Sequence, residues 1–110
     1  MNINKFTTKS QEAIQLSQQI AQGLSQQQIE NEHIFKALLE VDENVTPFLL
    51  KKLNVNVSLF KQIVESTLQS FPKVSRGDIM LSRTANATLN EAEILAGKMN
   101  DEFVSVEHLA

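Results

Sequence analysis

Residues 29–35 read Ile-Glu-Asn-Glu-His-Ile-Phe, and residues 104–110 read Val-Ser-Val-Glu-His-Leu-Ala. They hold the only two histidines of the 110-residue chain, each directly after a glutamate and inside the same apolar frame. His33 and His108 stand 75 positions apart (108 − 33). Sliding the chain by that offset lays Phe6 on Leu81, Thr7 on Ser82, Ile14 on Leu89 and Ile20 on Leu95. Ala21 then falls on Ala96, Leu24 on Met99, Ile29 on Val104, Glu32 on Glu107 and Ile34 on Leu109. Identity is sparse, but the apolar frame persists over about thirty positions, which predicts an internal duplication of one helical unit.

The pattern is helical nearly throughout. Ala13, Ile14, Ser17, Ile20, Ala21 and Leu24 recur at spacings of three and four, predicting a helix over 8–23. Thr7 or Thr8 can cap it; Thr8 has Gln11 three residues on, as a capping box requires, and Gly23 is expected to end the helix. A second helix, 31–41, carries Ile34, Phe35, Leu38, Leu39 and Val41. A third, 47–53, is expected to open at Thr46-Pro47, a hydroxyl cap followed by proline at the first helical position. A fourth, 57–70, is closed by Pro72, because proline disfavours helix in the residue before it. A fifth covers 83–98 and a sixth begins near Ser105. Residues 72–81 lack periodicity and read as a loop with a turn at Arg76-Gly77-Asp78. No sheet is expected. The resulting division is a first repeat over 1–71, an inter-repeat loop over 72–81, and the start of a second repeat over 82–110.

Composition excludes several classes. The net charge of −3 gives no broad pull toward nucleic acid or anionic lipid. There is no cysteine, hence no disulfide and no thiolate chemistry, which fits a cytoplasmic location. No apolar run is long enough to span a membrane, and the N-terminus lacks the apolar stretch of a secretory signal. All six aromatics are Phe, and Lys51-Lys52 is too narrow a basic patch for nucleic acid; it reads as a solvated helix end near the negative pole of the dipole.

Each candidate site has a simpler reading. Glu32-His33 and Glu107-His108 invite a metal site, but such sites need three or four ligands in reach. The duplication explains the pairs as first-turn features, with Glu complementing the helix dipole and His bonding neighbouring backbone. Ser and Thr are plentiful, yet nothing marks one as an activated nucleophile. The three glycines, Gly23, Gly77 and Gly97, cannot form a phosphate-binding G-x-x-x-x-G-K-[ST] loop, so no cofactor is expected on these residues. Phe103 is expected in the core, and Leu89 and Leu95 read as core rather than groove.

The stretches FTTKSQEAI (6–14), IENEHIFKALLE (29–40), FPKVS (71–75) and DEFVSVEHL (101–109) together resemble the double Clp-N repeat, the N-terminal domain of Clp ATPases. The likeness is to the ClpB-type disaggregase branch; the alternative is an adaptor- or substrate-docking domain of a ClpC- or ClpA-type protease subunit. The resemblance implies an all-α domain of two pseudo-repeated four-helix units, the second incomplete here, on a hexameric unfoldase. Unfolded or aggregated client protein is the implied partner, with a cooperating chaperone, and ATP and Mg are expected in ATPase modules elsewhere. It further implies a surface groove with apolar walls and a small polar cluster, carried here by Thr7, Asp101 and Glu107 with Leu95. Thr7 also serves as a helix cap. Cover for the second unit is expected after Ala110; without it Leu89, Leu95, Val104 and Leu109 are expected to lose part of their burial, leaving an unstable or self-associating chain.

Overall fold

The structure, a computed structural model, describes residues 2–74 and 77–110. A short 3-10 turn (Ile3–Lys5) leads into α1 (Thr8–Gly23). Then follow β1 (Gln28–Ile29), α2 (Asn31–Val41), α3 (Val45–Lys52), α4 (Val57–Ser70), β2 (Met80–Leu81), α5 (Arg83–Lys98) and α6 (Val106–Leu109). The fold is all-α in class, and α1, α2, α4 and α5 run as their periodicity predicts.

Small residues let the helices meet. Ala13, Ser17 and Ala21 line the buried face of α1, which packs chiefly on α2 through Ile34, Ala37 and Leu38. Ala85, Leu89, Ala92 and Ala96 form the matching face of α5. These residues join Phe6, Ile29, Val104, Val106 and Leu109 in one continuous core, so the two halves bury their apolar faces against each other. Leu89, Val104 and Leu109 are buried, contrary to expectation, and only Leu95 of that set stands out, at 41% exposure.

Capping settles one alternative and departs from the sequence reading at α3. Of the two hydroxyls offered for α1, Thr7 caps it: its Oγ1 accepts the Ser10 N–H at 3.2 Å. Gln11 forms no box; its amide donates to the carbonyls of Ile3 and Phe6 at 3.1 and 2.9 Å. The third helix opens two residues early because Asp42, upstream of it, supplies the acceptors. Its carboxylate takes the N–H groups of Asn44, Val45 and Thr46 at 3.0, 3.1 and 2.7 Å, and the Thr46 hydroxyl at 2.8 Å. Pro47 therefore sits in the first turn, where its missing N–H costs nothing. Burial pushes the Asp42 carboxyl up, but these four bonds outweigh it and hold the group below its ordinary 3.8. Gly23 is the last residue of α1, as expected, and the chain then turns through Ser25 at φ 56°.

The expectation of no sheet fails. β1 and β2 pair in parallel, Gln28 with Met80 and Ile29 with Leu81, and a second parallel bridge joins Phe6 to Val104. The Ser82 N–H donates to the Ile29 carbonyl at 3.0 Å, and the Thr7 N–H donates to the Val104 carbonyl at 2.9 Å. These two bonds are related by the offset of 75 positions. Each helix pair is thus entered by a strand that bonds to the other pair. Two-residue strands leave no alternation to read, so nothing local announced them.

The expected turn at Arg76-Gly77-Asp78 begins outside the described residues, which resume at Gly77. Gly77 has φ +123°, and a Cβ there would lie 2.2 Å from Gln27 Nε2. Only glycine fits.

Candidate functional site

The two Glu-His stretches build the same device twice. The Glu30 N–H, at the start of α2, donates to His33 Nδ1 at 2.8 Å; the Ser105 N–H, at the start of α6, donates to His108 Nδ1 at 2.9 Å. Each histidine, third residue of its helix, satisfies an otherwise orphaned donor, as Glu or Gln does in a capping box. Because Nδ1 accepts, the ring proton resides on Nε2. His33 Nε2 then donates to Gln26 Oε1 at 2.6 Å, and His108 Nε2 donates to Asp101 Oδ2 at 2.8 Å. Gln26 and Asp101 are again 75 positions apart, and the Gln26 and Asp101 N–H groups donate to the Ala21 and Ala96 carbonyls at 2.9 and 2.8 Å. Ser25 and Asn100, directly before them, adopt φ of 56° and 57°.

The partners differ in kind. Gln26 is buried and passes the chain of bonds on, its Nε2 donating to the Leu68 carbonyl at the end of α4 at 2.5 Å. Asp101 is exposed, so His108 is held by a carboxylate that also meets solvent. Burial lowers His33 below its ordinary 6.5; Glu30 and Glu32 pull the other way, and Lys36 adds to the lowering.

Of the four residues named from the sequence, the structure brings Thr7 to the 101–107 segment through its bond to Val104. Thr7 also donates its hydroxyl to Ser10 Oγ at 3.0 Å. Asp101 and Glu107, three residues before and after Val104 of the Phe6–Val104 bridge, are exposed. Leu95 stands on a neighbouring surface, in a cleft of about 470 Å³ along α5, with Ala92, Ile94, Lys98, His108 and Leu109. His108 connects the two, since it lines this cleft and bonds Asp101. Phe103, expected in the core, is 47% exposed, because the bridge turns Val104 inward instead. Leu95, read as core, likewise lies at the surface.

A second cleft, of about 360 Å³, escaped the sequence reading. Gln26, Gln27, Gln28, Glu30 and Asp78 meet the apolar Phe71, Pro72, Val74 and Met80 there. Its signal was present in the offset, which pairs Gln26 with Asp101. Among the described residues no group of three or more His, Cys, Asp or Glu could hold a metal ion, and no helix is long and apolar enough to cross a membrane.

Fold and site together define a small all-α domain of helix pairs locked by histidine caps. The chain belongs to the Clp family: residues 5–109 match the Clp repeat (R) N-terminal domain. It is 44% identical over 109 residues to the chaperone protein ClpB of Bacteroides thetaiotaomicron, covering 99% of this chain and 13% of that one. It is 38% identical over 109 residues to ClpB of Porphyromonas gingivalis, with the same coverage. Its fold is similar to that of the Hsp104 N-terminal domain from Candida albicans, at TM-score 0.85 and 20% identity over 96% of this chain and 70% of that one. It is also similar to a structure described as a peptide from the EAEC T6SS Sci1 SciI protein, at TM-score 0.89 and 21% identity over 97% of this chain and 68% of that one. The chain spans about one eighth of the length of the curated relatives it matches.

Proposed function

We propose that this chain is the client-recruiting N-terminal domain of a ClpB-type disaggregase, working in the cytoplasm and binding unfolded or aggregated polypeptide weakly. The observation that carries the reading is the α5 cleft, an apolar surface of Leu95, Ala92 and Leu109 that His108 links to the exposed Asp101. Apolar side chains of an unfolded client enter this cleft, while Asp101 and Glu107 favour basic flanks and Thr7 contributes a polar edge. The ClpB names of the relatives support the role, as does a fold neighbour whose structure is named for a peptide. The repeat boundaries belong to the same reading: a first repeat over 1–71, a connector over 72–81, and the beginning of a second over 82–110. A shallow cleft buries little, and ordering a disordered client costs a few kcal/mol, on the order of 2–5, so weak capture follows. Weak capture suits a domain that must pass its client on. ATP, Mg and hexamer assembly belong to other parts of such a protein, as does docking of a cooperating chaperone.

The test is an NMR titration with a cysteine-blocked, permanently unfolded protein. Signals of Thr7, Leu95, Asp101 and Glu107 should shift, and the same protein in its folded form should leave them in place. Shifts confined to Lys51, Lys52 and α4 would reject this placement.

A further inference from the structure

We infer that the His33–Gln26–Leu68 relay is an acid-opened latch on the cleft between β1 and the end of α4. The ring is fully buried and spoken for at both nitrogens: Glu30 N–H donates to Nδ1, and Nε2 donates to the Gln26 amide oxygen. A second proton can enter only at Nδ1. It would then point at the Glu30 N–H, 2.8 Å away, setting donor against donor. Gln26 offers an amide, which brings no negative charge to an imidazolium.

The surroundings do not rescue the charged ring in place. Glu30, Glu32 and Lys36 are the charges that act on it, and neither glutamate is hydrogen-bonded to a ring nitrogen through its side chain. Lys36 is itself paired with Glu65 of α4. From α4, the turn after α1 and the segment after α4, the ring meets the Leu68 carbonyl by way of Gln26, the Gln26 amide itself, and the Phe71 ring at 5.9 Å between centroids. Asp78 lines the neighbouring cleft.

Protonation therefore forces the ring to turn, and what the ring holds must follow. Gln26 loses its donor, and Leu68 loses the bond that ties the end of α4 to the turn after α1. Gln26 and Phe71 are both walls of the 360 Å³ cleft, with Pro72, Val74 and Met80 beside them. Opening the latch reshapes that cleft and exposes apolar surface. The second half carries the contrasting arrangement. Asp101 occupies the place of Gln26, and a carboxylate can accept from a charged ring as well as from a neutral one.

The test follows imidazole and amide signals of the whole chain by NMR as the pH is lowered. Long-range proton–nitrogen spectra should show His33 protonated on Nε2 only. The Gln26 side-chain amide and the backbone signals of Leu68, Phe71 and Val74 should then move with the midpoint of His33. Gln26→Glu, which puts a carboxylate against Nε2, should raise that midpoint; if the variant does not fold, the wild-type comparison decides alone. A proton found on Nδ1, or Gln26 and Phe71 signals that stay fixed while His33 titrates, would overturn the proposal. So would an upward shift absent from folded Gln26→Glu.

Discussion

His33 and His108 occupy the same place in two helix pairs, each accepting the backbone N–H of the residue three before it, at 2.8 and 2.9 Å. They differ in what stands behind the ring, Gln26 in one case and Asp101 in the other. A shared cap with different backing separates what each histidine does for stability from what it does at the surface.

The His33 environment predicts a pH dependence of folding. Its folded value lies below 6.5, so the unfolded chain binds more protons in the window between the two values. Its contribution is fully present above about 6.5, and declines as the pH falls from there through the folded value. Urea midpoints at pH 7.5, 6.5 and 5.5 should fall in that order, and His33→Gln should flatten the trend.

Asp42 acts in the same direction at lower pH. Its folded value is held below 3.8, so the stability it contributes is intact above that pH and is lost as the pH falls through the folded value. Asp42→Ala removes the N-terminal acceptor of α3 and leaves the buried Thr46 hydroxyl without its bond. The expected loss is about 1–3 kcal/mol, read from urea unfolding at pH 7.

The two leucines of α5 divide stability from recognition. Leu89 is fully buried, and Leu89→Ala should cost about 2–5 kcal/mol. Leu95 is 41% exposed in the cleft, so Leu95→Ala should cost well under half as much while weakening capture of an unfolded client. Thermal melts and the NMR titration measure the two effects; equal losses of stability would place Leu95 in the core.

Glycine substitutions should diverge in sign. Gly77→Ala meets both an unfavourable φ and the Gln27 side chain, and should destabilise by more than about 1 kcal/mol. Gly23 and Gly97 lie in helices with open space where a Cβ would stand. Gly23→Ala should therefore stabilise by about 0.5–1 kcal/mol. A matched set of melts compares the two.

The long helices were legible because their buried faces repeat at helical spacing and their ends carry polar caps. Ser82, for instance, accepts the Ala85 N–H at 3.0 Å as a hydroxyl cap should. The start of α3 was misread because its acceptor, Asp42, lies outside the Thr46-Pro47 signal that seemed sufficient. β1 and β2 were invisible because their pairing is set by partners some fifty residues apart, not by any local pattern. At the site, the offset of 75 placed both histidines correctly. The same offset also joined Gln26 to Asp101, but a lone glutamine carries no chemical signature until its hydrogen bonds are seen.

The crossed strands bear on how the chain acquires its structure in time. Phe6 meets Val104 across almost the whole length of the chain, and Ile29 meets Leu81 across half of it. Neither half can complete its backbone pairing until the other has arrived. Many tandem-repeat proteins can nucleate in one unit and grow outward, because each unit touches only its neighbour in sequence. Here the closing contacts are the most distant ones, so the loop-closure entropy falls late and slows the final step. Helix formation should be complete before the strands lock. A chain emerging from the ribosome would hold its first helix pair unsealed until Val104 had followed it out.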